Sequence, residues 1–463
     1  MRTSSACVLL LGLVACATVN PRAPDVAEVT RASEPLPFIQ DDYARALAEA
    51  KAKGVPLFVF ATAGWCTACR SMKAHVLSSP LLARQADRFV WLEVSTDLSR
   101  SAAFQRKYPV DFFPKLYVID PREEKALLRF NESMTVAELE QLLDDGARAY
   151  QGGATGLEAL LARGDALLAQ GHGAEASKVF AHLLATAPAD WSRRGRVVLA
   201  LLETSYETYA APGMKVCATK ALELLPDMPR SLMWAHGVRR GLTCAQSILP
   251  EEPEAQGAEV LLDALEKKVV EALGPPSIDM SADDRSSLYR ARVWAREMAK
   301  DEAGGRAVTE EWLTFLEAEA AKAPTARARA VLDSHRSEAA LRLKTPERAI
   351  PALARSEQEF PQDYLAPLRL AQLYQARGAL EDALAATDRA LLDVQGPRRV
   401  SVMGIRAAIL RERKDTAVAA RTLRDAIAYS ESLPEVQVPM CSVNRLKREL
   451  AELEAPPRAE PVK

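Results

Sequence analysis

Trp65-Cys66-Thr67-Ala68-Cys69 is the stretch that decides the fold, and it directly follows the apolar run Pro56-Leu57-Phe58-Val59-Phe60. The apolar run predicts a buried strand, and the residues after Cys69 predict a helix. Two cysteines at positions i and i+3 then lie on the first turn of that helix, close enough to form a reducible disulfide. Cys66 comes first, where unpaired N–H groups and the helix dipole stabilise a thiolate. We therefore predict that Cys66 attacks and that Cys69 is the buried resolving thiol.

Strands and helices alternate on both sides of this motif. Apolar runs at residues 89–94, 115–119 and 127–130 predict three further strands. One helix is predicted after Asp41, and another follows Thr135. This alternation predicts a compact α/β domain over residues 38–150.

The α/β segment resembles the thioredoxin-like family. The resemblance rests on Trp65-Cys66-x-x-Cys69 at a strand-to-helix turn and on Phe113-Pro114 immediately before a strand. In that family the matching proline is cis and faces the disulfide, so the resemblance implies that Pro114 shapes the groove where a partner's thiol docks. Residues 59–66 look closest to exported reductant domains. The resemblance implies a disulfide oxidoreductase that acts on protein thiols or disulfides, with no cofactor besides the Cys66–Cys69 disulfide.

Two positions depart from the family's pattern. The family commonly has an aspartate where this chain has Phe60, which cannot titrate, and a lysine near the position of Glu93. Glu93 either supplies the missing acid from the neighbouring strand or is a solvated strand residue. The departures favour a dedicated reductase over a fast general one. They also leave open a non-catalytic scaffold with a vestigial fold, against which the intact Cys66, Cys69 and Pro114 argue.

Metal binding is the other chemistry that a C-x-x-C motif supports. Structural zinc usually takes four Cys or His ligands arranged as two pairs. This chain has one C-x-x-C motif, and no Met/His cluster adjoins it, which also argues against a copper or haem-maturation chaperone. We therefore predict no metal site. The five scattered histidines are interpreted as surface or hydrogen-bonded core residues: His75, His172, His182, His236 and His335.

The first 16 residues predict a lipoprotein signal peptide. The apolar run from residue 7 to residue 14 is too short to span a bilayer. Leu13-Val14-Ala15-Cys16 resembles the bacterial lipobox, which implies that Cys16 is lipidated and anchors the chain to the cell envelope on its periplasmic side. Ala17, in place of an aspartate, favours the outer membrane. The alternative is a plain secretory signal. Prolines in residues 17–37 predict a flexible tether.

Beyond residue 152 the pattern predicts helices alone. Gly164, Ala176 and Phe180 match a unit of about 34 residues that resembles the tetratricopeptide repeat, and Ala383 and Ala419 lie 36 residues apart near the end. The predicted order is repeat-like helices at 155–250, an irregular helical segment at 251–335, repeats at 336–434, and a terminal helix and tail at 435–463. An irregular bundle is the alternative. Solenoids present extended surfaces, so we expect a protein partner there.

Composition sets the remaining limits. A chain of 463 residues is too long for one core, which predicts several domains. Its net charge of −2 gives no electrostatic reason to expect nucleic acid as a partner. Cys217 and Cys244, 27 residues apart, either form a structural disulfide that stabilises the fold by about 3–4 kcal/mol or remain two buried free thiols.

Overall fold

The computed structural model describes residues 35–205, 211–248 and 252–455, which belong to one compact unit that begins at Pro35. The predicted signal peptide, Cys16 and most of the predicted tether lie outside the described residues. In the described part of the chain, no helix is both long and apolar enough to cross a membrane.

The first domain is built on a five-stranded sheet. Its strand order is β1-β3-β2-β4-β5, with β3 parallel to β1 and β2, and β4 antiparallel to β2 and β5. The strands are β1 Phe38–Gln40, β2 Leu57–Thr62, β3 Val90–Ser95, β4 Lys115–Asp120 and β5 Lys125–Phe130. β1 was not predicted from the sequence, whereas the other four strands lie where the apolar runs placed them.

Helices cover both faces of this sheet. They are α1 Tyr43–Lys53, α2 Thr67–His75, α3 Ala102–Lys107 and α4 Val136–Gln151. Every residue of β2 is buried, because α1 and α3 cover one face of the strand while α2 and α4 cover the other. A strand buried on both faces reads as a continuous apolar run, which is the pattern that begins with Leu57 and Phe58. The predicted α/β class is confirmed.

The rest of the described chain is helical, as predicted, and neighbouring helices pack in consecutive pairs. Small residues allow these helices to pack closely. At Gly164, for example, an added Cβ would come within 2.5 Å of the Phe180 ring. The helices are α5 Gly156–Ala169, α6 Gly173–Thr186, α7 Arg194–Ser205, α8 Ala211–Leu224, α9 Leu232–Gln246, α10 Ala258–Leu273, α11 Ala282–Met298, α12 Glu302–Lys322, α13 Ala326–Ala330, α14 Asp333–Leu343, α15 Ile350–Glu359, α16 Leu365–Ala376, α17 Leu380–Asp393, α18 Gly396–Glu412, α19 Thr416–Glu431 and α20 Met440–Glu454.

The helical region wraps around the α/β domain. Near its start, Glu203 on α7 pairs with Arg129 on β5 at 2.9 Å. Further along, Asp363 pairs with Arg70 on α2 at 2.6 Å. Near its end, the Gln437 side chain donates hydrogen bonds to the carbonyl oxygens of residues 96 and 98, beyond β3. Parts of the helical region therefore contact the chain's own α/β domain.

Cys217 and Cys244 connect two helices of this region. They form a disulfide between α8 and α9, and their Cα atoms are 6.0 Å apart. Both side chains are buried in the core that joins the helices to the sheet. Cys441 on α20 is free and exposed.

Candidate active site

The redox motif lies at the turn between β2 and α2. Cys66 is the N-cap residue of α2, and its Sγ atom accepts a hydrogen bond from the backbone N–H of Cys69 at 2.9 Å. The two cysteines form a disulfide with their Cα atoms 5.2 Å apart. Cys66 is 3 % exposed and Cys69 is fully buried. Cys66 therefore occupies the helix start, where the dipole favours a thiolate, and Cys69 lies behind it.

Pro114 and Trp65 lie at the same cavity as this disulfide. The Phe113–Pro114 peptide bond is cis, and Trp65, Cys66 and Pro114 line the same cavity. The rings of Trp65 and Phe113 meet edge to face, with their centroids 5.0 Å apart. Three of the residues predicted from the motif are thus brought together at one opening.

Glu93 points towards the face of the sheet that α2 covers. It is the register partner of Phe60, so the two side chains share a face. Both carboxylate oxygens of Glu93 accept hydrogen bonds from Lys73 Nζ, at 2.7 and 2.9 Å. Lys73 lies four residues after Cys69 on α2, which is one helical turn. Glu93 is 9 % exposed, so it is the inward residue of the two alternatives, and an ion pair with Lys73 holds it there.

A cavity of about 350 Å³ opens onto the disulfide. The α/β domain contributes Cys66, Phe113 and Pro114 to its wall. Residues of α9, α11, α14 and α16 form the opposite wall. The helical region therefore covers the groove in which the family resemblance implies that a partner's thiol docks.

Two of the five histidines line this cavity, His236 and His335. Both are buried and hydrogen-bonded, as expected, but their position beside the disulfide was missed. His335 Nε2 lies 2.7 Å from Asp283 Oδ1. Burial alone would raise the pKa of Asp283, but the hydrogen bond and charge of His335, together with a hydrogen bond from Thr67, bring this pKa below its ordinary value. An acid–base pair from the helical region thus contacts the residue that follows Cys66.

A second polar cluster anchors the end of β5 to the helices. Ser133 Oγ lies 3.1 Å from His236 Nε2 and donates a hydrogen bond to Asp284. Glu132 accepts hydrogen bonds from Arg239 and Arg240 on α9. Burial works to raise the pKa of Glu132, but these arginines and His236 outweigh it and lower the pKa to about 2. Sequence spacing gives no signal for either cluster, since the partners come from distant segments.

No group of three His, Cys, Asp or Glu side chains in residues 35–205, 211–248 and 252–455 could hold a metal ion.

Comparisons with known proteins match the α/β domain and the helical region to different families. Residues 38–121 match a family model described as thioredoxin-like, and residues 340–404 match one described as tetratricopeptide repeat. A search of curated proteins finds no match.

A search of solved structures finds matches that include the following two. A tetratricopeptide repeat protein from Parabacteroides merdae is 11% identical with a TM-score of 0.39, over 65% of this chain and 99% of that chain. The APC/C hetero-tetramer Cut9–Hcn1 is 13% identical with a TM-score of 0.30, over 68% of this chain and 55% of that chain. Repeats of this kind suggest protein–protein interaction. The chain combines a thioredoxin-like domain with tetratricopeptide-like helical repeats.

Proposed function

We propose that this chain catalyses thiol–disulfide exchange through Cys66 and Cys69 and acts as a reductase. The observation that carries the proposal is the disulfide at the first turn of α2, which faces a cavity beside Pro114. The buried position of Cys66 and the apolar Phe60 favour the rival interpretation, a non-catalytic scaffold. The two proposals differ in whether the disulfide exchanges electrons with a solution couple.

The reaction has two steps that balance without a cofactor. The Cys66 thiolate attacks one sulfur of a substrate disulfide, forming a mixed disulfide and releasing the other substrate sulfur as a thiolate that takes up a proton. Cys69 then loses its proton and attacks Cys66 Sγ. This step forms the Cys66–Cys69 disulfide and releases the second substrate thiol. Two electrons pass from the dithiol to the substrate.

A redox titration of the full chain tests the proposal. The chain is equilibrated in buffers of defined glutathione potential, and the Cys66–Cys69 thiols are counted by alkylation. A reductase should give a potential near about −270 mV, whereas about −120 mV would indicate an oxidant. A disulfide that stays oxidised at every potential would support the scaffold.

Glu93 is proposed to accept the proton that Cys69 releases. A buried thiol ionises less readily than an exposed one, so Cys69 needs a base, and Phe60 leaves the usual position apolar. Glu93→Gln should slow the resolving step by about ten- to a hundredfold, at the low end of general-base catalysis, while the attack by Cys66 stays nearly unchanged. Phe60→Asp in the Glu93→Gln background should recover part of the rate. Stopped-flow kinetics separate the two steps.

An unchanged resolving step in Glu93→Gln would contradict this role. The proton would then go elsewhere, and the Asp283–His335 pair beside Thr67 is the next candidate. Asp283→Asn would be measured in the same assay.

Membrane attachment through Cys16 is also proposed, on the lipobox-like Leu13-Val14-Ala15-Cys16. Several acyl chains hold a protein at a membrane because each buried methylene contributes about 0.8 kcal/mol. Cys16→Ala should block labelling by palmitate and leave the protein soluble or uncleaved. Membrane fractionation and metabolic labelling measure this. An unlabelled wild-type chain in the soluble fraction would indicate a plain secretory signal.

A protein partner on the helical region remains part of the proposal. The side of the repeats that faces the sheet is occupied by the α/β domain, through contacts such as Arg70 with Asp363. A partner protein would therefore bind the opposite side of the helices.

A further inference from the structure

We infer that the cavity at the disulfide binds the anionic group of a low-mass disulfide substrate, through Arg290 and Arg369. This inference rests on the proposed thiol–disulfide exchange and narrows its substrate class. Arg290 lies on α11 and Arg369 lies on α16, and both line the cavity together with Cys66.

The acidic side chains of the cavity are engaged within the chain. Asp284 accepts hydrogen bonds from Ser133 and Ser281, and burial raises its pKa, so it carries less negative charge than an exposed aspartate at a given pH. The other three are ion-paired: Asp111 with Lys115, Glu132 with Arg239 and Arg240, and Glu338 with Arg342.

Arg290 and Arg369 differ from these acidic side chains, because neither forms an ion pair in the described part of the chain. Within the described residues, neither Arg290 nor Arg369 has a carboxylate within ion-pair distance. Arg369 Nη1 donates a hydrogen bond to the neutral side chain of Gln372, and its Nε is buried without a hydrogen-bond partner. Arg290 lies 6.0 Å from the centre of the Trp294 ring. Arg290 and Arg369 therefore face the cavity without a direct ion pair to any described residue, while Asp283 and Glu338 act on them only at longer range.

Arg398 is a third arginine near the cavity, and the charge of Asp97 acts on it. Its guanidinium group lies 4.1 Å from the centre of the Trp65 ring. Burial lowers the pKa of Arg369, and the charge of Arg398 lowers it further, whereas Glu338 opposes this. A partly buried arginine that lies near a second cation is stabilised when an anion binds beside it. Arginine suits a carboxylate because its planar fork donates two parallel hydrogen bonds.

The size of the cavity indicates a small substrate. Cys66 is 3 % exposed and is reached through a space of about 350 Å³. This volume lies at the lower end of the range for small-molecule sites. A space of this size suits one half of a low-mass disulfide better than the surface of a folded protein. The substrate we infer has a carboxylate a few atoms from its sulfur.

Three low-mass disulfides of different charge test the inference. The full-length chain carrying Cys441→Ser, which removes the free and exposed thiol, is reduced, desalted and mixed with dithiodipropionate, hydroxyethyl disulfide or cystamine, which are anionic, neutral and cationic. Each rate is divided by the rate of the same disulfide with mercaptoethanol, which removes differences in intrinsic reactivity. The anionic disulfide should react at least about tenfold faster than the cationic one, the effect expected of a charge-assisted hydrogen bond. Folded insulin should react far more slowly than dithiodipropionate.

Arginine variants assign the preference to the cavity. Arg369→Gln and Arg290→Gln should each reduce the anionic-to-cationic ratio, and Arg421→Gln, at an exposed position on α19, should leave it unchanged. If Arg369→Gln does not fold, Arg290→Gln still decides. Equal normalised rates for the three disulfides, or a ratio that survives both substitutions, would overturn the anion site. Insulin reduced as fast as dithiodipropionate would overturn the low-mass class. Failure of all the disulfides to react would instead reject the proposed exchange activity.

Discussion

Cys66→Ser should reduce thiol exchange to the background rate, whereas Cys69→Ser should stop the reaction at a mixed disulfide. The difference follows from the positions of the two residues. Cys66 lies at the start of α2 and lines the cavity, and Cys69 is fully buried behind it. Without Cys66 no thiolate faces the substrate. Without Cys69 the first attack proceeds, but nothing displaces the bound half of the substrate.

Both variants are measured in a Cys441→Ser background. Cys441 is free and exposed, so it would otherwise react with the same disulfides and imitate residual activity. Mass spectrometry of Cys69→Ser after exposure to dithiodipropionate should show one added half-disulfide at Cys66. Exchange in Cys66→Ser at the wild-type rate would refute the proposed function outright.

The rate at which reduced Cys66 is alkylated should also be measured as a function of pH. In the reduced chain the thiol at the start of α2 should titrate below the free-thiol value of about 8.5. If Cys66 titrates like a free thiol, its position at the start of α2 does not activate it.

The local elements of the α/β domain could be predicted because their signals are local. Leu57 and Phe58 begin a continuous apolar run that becomes the central strand, buried on both faces. The cysteine pair then sits at a strand-to-helix turn that its neighbours already define. β1 was missed since three residues, Phe38–Gln40, become a strand only through pairing with β3.

The cavity could not be predicted, because it depends on how the helical region returns to the disulfide. No motif or spacing in the sequence marks His335 or Arg369 as a site residue. The packing of the helices against the α/β domain is what places them at the same cavity as Cys66. Helical periodicity predicts that helices stack, but it does not indicate what their common surface contacts. The sequence therefore did not indicate that part of the helical region contacts the chain's own domain, for example through Gln437.

Glu132→Gln should lower the free energy of unfolding by about 3 kcal/mol, because removing one partner breaks a buried ion pair. Glu132 is 8 % exposed and joins the end of β5 to Arg239 and Arg240 on α9. Without the carboxylate, Arg240 keeps its hydrogen bond to the carbonyl oxygen of Leu199 at 3.3 Å and a longer contact with Glu203 at 3.8 Å. Urea unfolding at neutral pH measures the loss. The matched control is Glu140→Gln, whose pair with the largely exposed Arg84 should contribute at most about 1 kcal/mol.

Acid should reproduce the effect of Glu132→Gln in the wild-type chain. The pKa of Glu132 is lowered from 4.5 to about 2, so its stabilisation is complete above about pH 4.5 and is lost as the pH falls towards 2. The difference in stability between wild type and Glu132→Gln should shrink over that window. Since the Glu132 carboxylate holds α9 against the α/β domain, the Glu132→Gln variant should also show faster alkylation of reduced Cys66 than the wild-type chain at neutral pH. Glu132→Gln could instead lower the free energy of unfolding no more than Glu140→Gln and leave the alkylation rate of Cys66 unchanged. Glu132 would then not be the residue that keeps the cavity closed, and the ion pair between Arg70 and Asp363 would be the next contact to test.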